Sequence, residues 1–393
     1  MLPLSGIKVL DLSRVLAGPY CGMILADLGA YVVKIERPGR GDDSREFGPF
    51  VNGESAYFMS INRNKKSVTL NLKSPEGKEI FKELVKHFDV VVENFRPGTM
   101  EKLGLGYDVL KKINSRLIYA ASSGFGYTGP YRERPAYDAI IQAMGGLMSI
   151  TGFPGGKPTR VGASIADIAT GMFCAIGVLA ALVKRQVTGE GDMVDVAMLD
   201  SVVALLENAI ARYEVTGELP KPLGNRHPSI FPFESFEAQD GDIIIAAGND
   251  ELWAKLCRAI GKEELANDPR FRTNQLRGQN YNEMKKILDD IIKTKTVEEW
   301  IKILEDAGVP CSPINTIDRV VQHPQVLARD MIVKVRHAVA GEIKMPGCPI
   351  KFASENPKIG PAPILAEHTE EVLKEFLGIG DEELARLKAS GVI

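Results

Sequence analysis

The chain has 393 residues, 45% of them hydrophobic and 25% charged, with a formal net charge of −3. That length exceeds one ordinary core and predicts two domains, while the near-neutral balance excludes the concentrated basic surface of a nucleic-acid binder. No apolar run reaches the about 20 residues that cross a bilayer, so neither nucleic acid nor membrane is expected as a partner.

In chain order, Ile7–Leu12 reads as a strand, Gly18–Ala30 as a helix and Tyr31–Ile35 as a second strand. Ser74 and Pro75 open an amphipathic helix with Ile80, Phe81, Leu84 and Val85 on one face. Val90–Val92 and Leu117–Ala121 are apolar runs of strand length, and Val194–Leu199 is another. Strands alternating with helices predict a parallel sheet covered on both faces, a doubly wound α/β layout. Between them, Ile168–Val183 mixes Ala and Gly with large apolar residues, the composition of a buried, closely packed helix. Pro220, Pro222, Gly224, Pro228 and Pro232 then punctuate a loop-like stretch. Beyond it come a strand at Ile243–Ala247, charged helices near 251–260, 281–293 and 297–307, paired strands within 332–352 and a helical tail from His368. The predicted organisation is a large domain over 1–200, a linker over 201–224, a smaller α+β domain over 225–330, and a return segment over 331–393.

The N-terminal MLPLSGIKVLDLS lacks the basic-then-apolar layout of a signal peptide. The five cysteines are scattered and never spaced as CxxC, which fits reduced thiols in the cytoplasm. The five histidines are equally dispersed, without HxxxH or HExxH spacing, so no metal site is expected.

The opening strand–turn–helix–strand with Glu36 invites an NAD-dependent oxidoreductase reading. That site needs G-x-G-x-x-G after the first strand, so that pyrophosphate sits against backbone amides. Here the turn runs from Ser13 through Arg14, Val15, Leu16, Ala17 and Gly18, and side chains stand where the glycines belong.

Several segments together carry a resemblance: Asp11-Leu12-Ser13 with Ala17-Gly18-Pro19; Val33 to Gly39 with Gly41-Asp42-Asp43; Asn64-Lys65-Lys66-Ser67; Val92 to Gly98; Pro135-Ala136-Tyr137-Asp138; and Gly224-Asn225-Arg226-His227. In this order they resemble class III CoA-transferases, which include formyl-CoA and carnitine CoA-transferases. The resemblance implies a Rossmann-like large domain, a smaller domain and an interlocked homodimer. It implies a coenzyme A thioester as substrate, a small carboxylic acid as acceptor and no permanently bound cofactor.

Asp167, just before Ile168–Val183, reads from its position as an N-cap. By resemblance it matches the family's nucleophile, and a helix N-terminus favours the ionised carboxylate that must attack. The family's CoA-contacting positions match Val15, Arg37, Leu70, Lys73, Asn94, Phe95 and Lys102. Arg37, Arg40 and Arg45 crowd one loop, either a phosphate-binding cluster or a solvated charged surface. Leu16 replaces a glutamine of formyl-CoA transferases, and no polyglycine loop surrounds Gly224 to Ile230, which argues against oxalate with formyl-CoA. The Asn-Arg-His-Pro-Ser-Ile run resembles branches acting on carnitine-type or dicarboxylate acids. Arg226 or His227 then holds the acceptor's second charge, or simply belongs to a capped loop. The rival within the fold is an α-methylacyl-CoA racemase. Its histidine base matches Tyr137, and a phenol of ordinary pKa about 10 is a poor base at neutral pH. Tyr57 and Tyr137 are therefore expected in the acyl pocket, with core packing as the alternative, and Asp138 either orients a neighbour or opens a helix. A non-catalytic CoA-binding protein is the remaining alternative, against which the aspartate at 167 stands.

Overall fold

The computed structural model describes residues 1–393. It divides into two compact units, one of Met1–Met148, Arg160–Gly217 and Pro324–Ile393, the other of Ser149–Thr159 and Glu218–His323.

The first unit is built on six parallel strands: β1 (Lys8–Asp11), β2 (Tyr31–Glu36), β3 (Lys65–Thr69), β4 (Val90–Glu93), β5 (Ile118–Ser123) and β6 (Met193–Ala197). Their order is β3-β2-β1-β4-β5-β6. Winding therefore reverses between β1 and β4, and the chain leaves β1 and β4 over the crevice where ligands of open α/β sheets bind. Strand residues alternate between two buried layers. Val9, Val32, Val90 and Ile118 meet helix α1 (Ala17–Asp27) and the later helix α4; Leu10, Val33, Val91 and Tyr119 meet α2 (Pro75–Val85). The second layer also takes Val372, Leu373, Leu384 and Leu387 from the C-terminal helices, so the end of the chain completes this core. Helix α2 starts as predicted, with Pro75 in its first turn and the Ser74 hydroxyl accepting the Gly77 amide.

Short α3 (Asp138–Met144) precedes the 24-residue α4 (Ile165–Thr188). Helices α1 and α4 approach closely at Gly171, where a Cβ would lie 2.6 Å from the Ala17 carbonyl oxygen. Two expectations about α4 are corrected. It is long and apolar enough to cross a membrane by length and composition, because the helix extends beyond the apolar run at both ends. Nor is it buried all round: Phe173, Ile176, Val183 and Val187 form an exposed stripe along one face.

The expected linker over 201–224 is largely helical. Met198–Leu205 (α5) and Ala209–Thr216 (α6) belong to the first unit, since their apolar residues continue the helical pattern up to Gly217. Residues 149–159, expected in the first domain, group with the second unit, which ends at 323 rather than 330. That unit pairs β7 (Phe233–Glu237), β8 (Asp242–Ala246) and β9 (Cys311–Pro313) in an antiparallel sheet. Its core holds Trp253, Phe271, Leu288 and Trp300.

Candidate active site

The turn after β1 is clamped by side chains from three strands and from the loops after β2 and β4. The Asp11 carboxylate accepts the Ser13 amide at 3.0 Å and also the Ser13 hydroxyl. The Lys34 ammonium donates to the Ser13 carbonyl at 2.7 Å and pairs with Asp42 at 2.8 Å. Asp42 in turn accepts the Val15 amide at 3.1 Å and the Ser44 amide at 2.8 Å. Asn94 grips Arg14 from the other side, its amide accepting from Arg14 N–H and donating to Arg14 C=O, both at 2.8 Å. Beneath them Lys65 pairs with Asp11 at 2.8 Å, and neither side chain is exposed at all. Four of the six segments that carried the sequence resemblance thus converge on one piece of backbone.

That backbone is strained. Val15 sits at φ 66°, a left-handed conformation that a β-branched residue adopts only under constraint. A glycine would reach it without cost; here side-chain hydrogen bonds impose it instead.

Two pockets flank the clamp. The smaller, about 240 Å³, is lined by Asp167 together with Val15, Leu16, Asn94, Phe95 and Tyr137. The larger, about 710 Å³, is lined by Arg37, Leu70, Lys73, Phe95 and Lys102. Arg14 and Phe95 line both, with the Arg14 guanidinium 5.6 Å from the centre of the Phe95 ring. All seven positions matched to CoA contacts therefore fall around these two cavities.

The basic loop is only partly available to a ligand. Arg45 forms a two-pronged pair with Glu36 at 2.7 and 2.8 Å and lies 3.6 Å over the Phe58 ring, so it is a structural group. Arg40 is paired with Glu46 and lines neither pocket. Arg37 alone of the three reaches the larger pocket, held by Asp43 at 2.6 Å. Lys73 and Lys102 line the same cavity, and neither forms an ion pair with a carboxylate.

Asp167 is not an N-cap, correcting the reading from position. It lies in the first turn of α4, and Ser164 occupies the cap without a side-chain cap bond. The cap is supplied from outside the helix: Asp138 Oδ1 accepts the Ala166 amide at 2.9 Å, while Oδ2 accepts from Gln142 Nε2 at 2.8 Å. The Gln142 side-chain oxygen, Oε1, accepts the Val161 amide at 2.9 Å, which ties down the approach to the helix. Asp138 is thus both the first residue of α3 and the group that sets the start of α4.

The expected ionised state is also corrected. Burial, reinforced by the charge of Asp138, pushes the Asp167 carboxyl up to about 7, against which one helix terminus is too weak. Asp167 has no hydrogen-bond or ion-pair partner within the chain. A partly buried, unpartnered carboxylate that titrates near neutrality is a strong nucleophile when ionised.

Tyr137 lines the Asp167 pocket and is 73% exposed. Tyr57 lines neither pocket; burial, aided by Asp167, pushes its phenol up to about 12. Arg226 and His227 line neither pocket and are engaged inside the second unit. Arg226 lies 4.3 Å over the Tyr281 ring, while His227 stacks on Phe233 and its Nδ1 accepts the Ser229 amide at 3.0 Å. Sequence reasoning missed Arg96, Arg134, Ser122 and Ser123, which also line the Asp167 pocket. Only the position of Arg96 inside the Asn-Phe-Arg-Pro-Gly segment signalled any of them.

The family model for CoA-transferase family III matches residues 4–369. The chain belongs to CoA-transferase family III. It is 42% identical over 395 residues to the succinyl-CoA:glutarate CoA-transferase of Mus musculus, covering 100% of this chain and 91% of that one. It is 45% identical over 377 residues to the acetyl-CoA:oxalate CoA-transferase of Acetobacter aceti, covering 95% and 96%. A solved CaiB/BaiF family protein from Brucella suis superimposes with a TM-score of 0.84 at 41% identity, covering 95% of this chain and 99% of that one. As a family III CoA-transferase the chain is an enzyme that takes a CoA thioester as substrate, and its relatives move CoA between acids.

Proposed function

We propose that this enzyme moves CoA from an acyl-CoA to a small dicarboxylic acid through covalent intermediates on Asp167. The observation that carries the reading is the unpartnered Asp167 carboxylate in a small pocket adjoining a larger, cation-lined one. Glutarate and oxalate in the names of two relatives supply the acceptor class.

In the first step the ionised Asp167 oxygen attacks the donor thioester carbonyl, the C–S bond breaks, and CoA thiolate leaves an aspartyl mixed anhydride. The thiolate then attacks the Asp167 acyl carbon and expels the donor acid as its carboxylate, leaving an aspartyl-CoA thioester. An acceptor carboxylate attacks that thioester and releases thiolate, forming a second anhydride. Thiolate attack on the acceptor's acyl carbon yields the new acyl-CoA and returns Asp167 as a carboxylate. Thioester energy is conserved throughout, so no step calls for a resident cofactor. The adenosine phosphates belong with Arg37, Lys73 and Lys102, and the thioester end with Asp167. Racemisation is disfavoured because Tyr137 supplies no base. The sheet and its β1–β4 reversal support a Rossmann-like description. The exposed Phe173, Ile176, Val183 and Val187 stripe supports burial in an interlocked homodimer. The five free thiols fit a cytoplasmic setting.

The test is chemical trapping. Incubation with acyl-CoA and hydroxylamine should convert Asp167 alone to the hydroxamate, read in the tryptic peptide by mass spectrometry. An unmodified peptide from an enzyme that turns over would rule out the covalent route.

A further inference from the structure

The Asp167 pocket contains more positive charge than its own structure uses. Three guanidinium groups line it: Arg14, Arg96 and Arg134. Arg14 is committed to Asp43 at 3.1 Å. Arg134 is stacked 3.7 Å over the Tyr131 ring, which fixes its plane but leaves its N–H edge without an acceptor. Arg96 has neither an ion pair nor a side-chain hydrogen bond. Guanidinium groups left with open donors beside a cavity are matched by planar oxyanions, which they bind in a fork.

Their position relative to Asp167 narrows the ligand. Neither Arg96 nor Arg134 forms an ion pair with Asp167, and the causes that set its protonation include no arginine. A donor to the reacting carboxylate would stand against Asp167 itself. Donors set back in the same pocket suit a second carboxylate, separated from the first by a short carbon chain of roughly 4–6 Å. The pocket's 240 Å³ lies below the usual range for larger organic ligands, which keeps the acid small. Open guanidinium groups also repel a quaternary ammonium, which separates a diacid from a carnitine-type acceptor. Arg226 and His227, the sequence candidates for this task, line neither pocket.

We infer that Arg96 and Arg134 hold the distal carboxylate of a three- to six-carbon dicarboxylic acid while its other carboxylate engages Asp167. The assignment deepens the transferase reading and rests on it. The two arginines act as specificity residues: they do not enter the bond changes, and they decide which acid is presented to the aspartyl thioester.

The experiment sets succinyl-CoA and acetyl-CoA as donors against dicarboxylates of three to six carbons, each paired with the monocarboxylate of equal chain length. The readout is the ratio of kcat/KM for diacid over monoacid. In the wild type the diacid is favoured, and Arg96→Gln or Arg134→Gln each lowers the ratio about 10- to 100-fold, the effect of losing a charge-assisted hydrogen bond. Arg134→Lys keeps the charge without the fork and recovers part of the ratio, which a folding defect would not do. Carnitine accepts poorly in every case. An unchanged ratio in the double variant overturns the assignment. So does a rise in KM for every acyl-CoA at constant ratio, which would place the guanidinium groups on the CoA phosphates. A wild type that serves monoacids equally well sinks the assignment but leaves the transferase standing; one that moves CoA to no acid removes both.

Discussion

Asp138 starts the helix that carries Asp167: its Oδ1 accepts the Ala166 amide at 2.9 Å, one residue before the reacting carboxylate, and its charge raises the Asp167 pKa. One side chain therefore both places the carboxyl proposed as the nucleophile and tunes it. Substituting Asp138→Asn separates the two effects. The amide oxygen still accepts from Ala166, but the charge is gone, so the Asp167 pKa falls. The ionised form is the active one, so the acid limb of kcat/KM for the donor moves to lower pH. Because burial is the larger cause, the limb stops short of an ordinary carboxylate value. The introduced side-chain amide also turns an N–H toward Gln142, so stability drops by about 1 kcal/mol, read as a lower melting temperature.

Removing Asp167's charge should stabilise the chain at alkaline pH. Its folded pKa of about 7 lies above the ordinary value of 3.8. Between those values the folded state binds more protons than the unfolded one, so stability falls as pH rises through this window and then levels off. Asp167→Asn escapes that loss while abolishing transfer. Its melting temperature should exceed the wild type's at pH 8 by an amount corresponding to about 1–3 kcal/mol, and match it near pH 4. A constant offset across pH would contradict the raised pKa.

Lys65 and Asp11 form a fully buried pair, and Lys65 also donates to the Pro19 carbonyl and Asn62 Oδ1, both at 2.9 Å. Lys65→Met leaves the Asp11 carboxylate without its countercharge and should cost about 3–5 kcal/mol in denaturant unfolding. Adding Asp11→Asn to that variant recovers part of the loss, since the uncompensated charge is its main source.

Arg37, Arg40 and Arg45 should separate by assay although they are neighbours in sequence. Arg37→Ala raises KM for acyl-CoA about tenfold and weakens its salt dependence. Arg40→Ala leaves KM where it was, because its guanidinium is spent on Glu46 at the surface. Arg45→Ala lowers the melting temperature, since Glu36 is buried and loses its only guanidinium partner, keeping the Ser67 hydroxyl and the Asp42 amide.

The parallel sheet was legible because β-branched runs alternate with amphipathic helices, and Ser74-Pro75 announces α2 by cap chemistry alone. Asp167 was legible only through its resemblance to a family. Its environment was not, because its burial and its nearness to Asp138, a residue distant in sequence, are tertiary facts. The boundary near 201–224 failed for a local reason: proline marked the loop, while Ser201–Leu205 still had helix-forming apolar residues before it. The basic loop could not be sorted from sequence, because Glu36, Asp43 and Glu46 compete for the same arginines and only geometry assigns them. Arg134 carried no signal at all; its value comes from facing a cavity formed by segments far apart in the chain.

The fit at Gly171, where α4 lies too close to the Ala17 carbonyl to admit a larger side chain, fixes how near the start of α4 lies to α1. Asp167 stands one turn earlier on that helix and would anchor a different bond in each intermediate of the proposed exchange. With its helix packed this closely on α1, the Asp167 backbone is a fixed point from which the carboxylate would act in the proposed exchange. In that exchange the aspartyl carbon would stay at its post while donor and acceptor acids come and go. Enlarging Gly171 would thus displace the post itself, and with it every stage of the exchange.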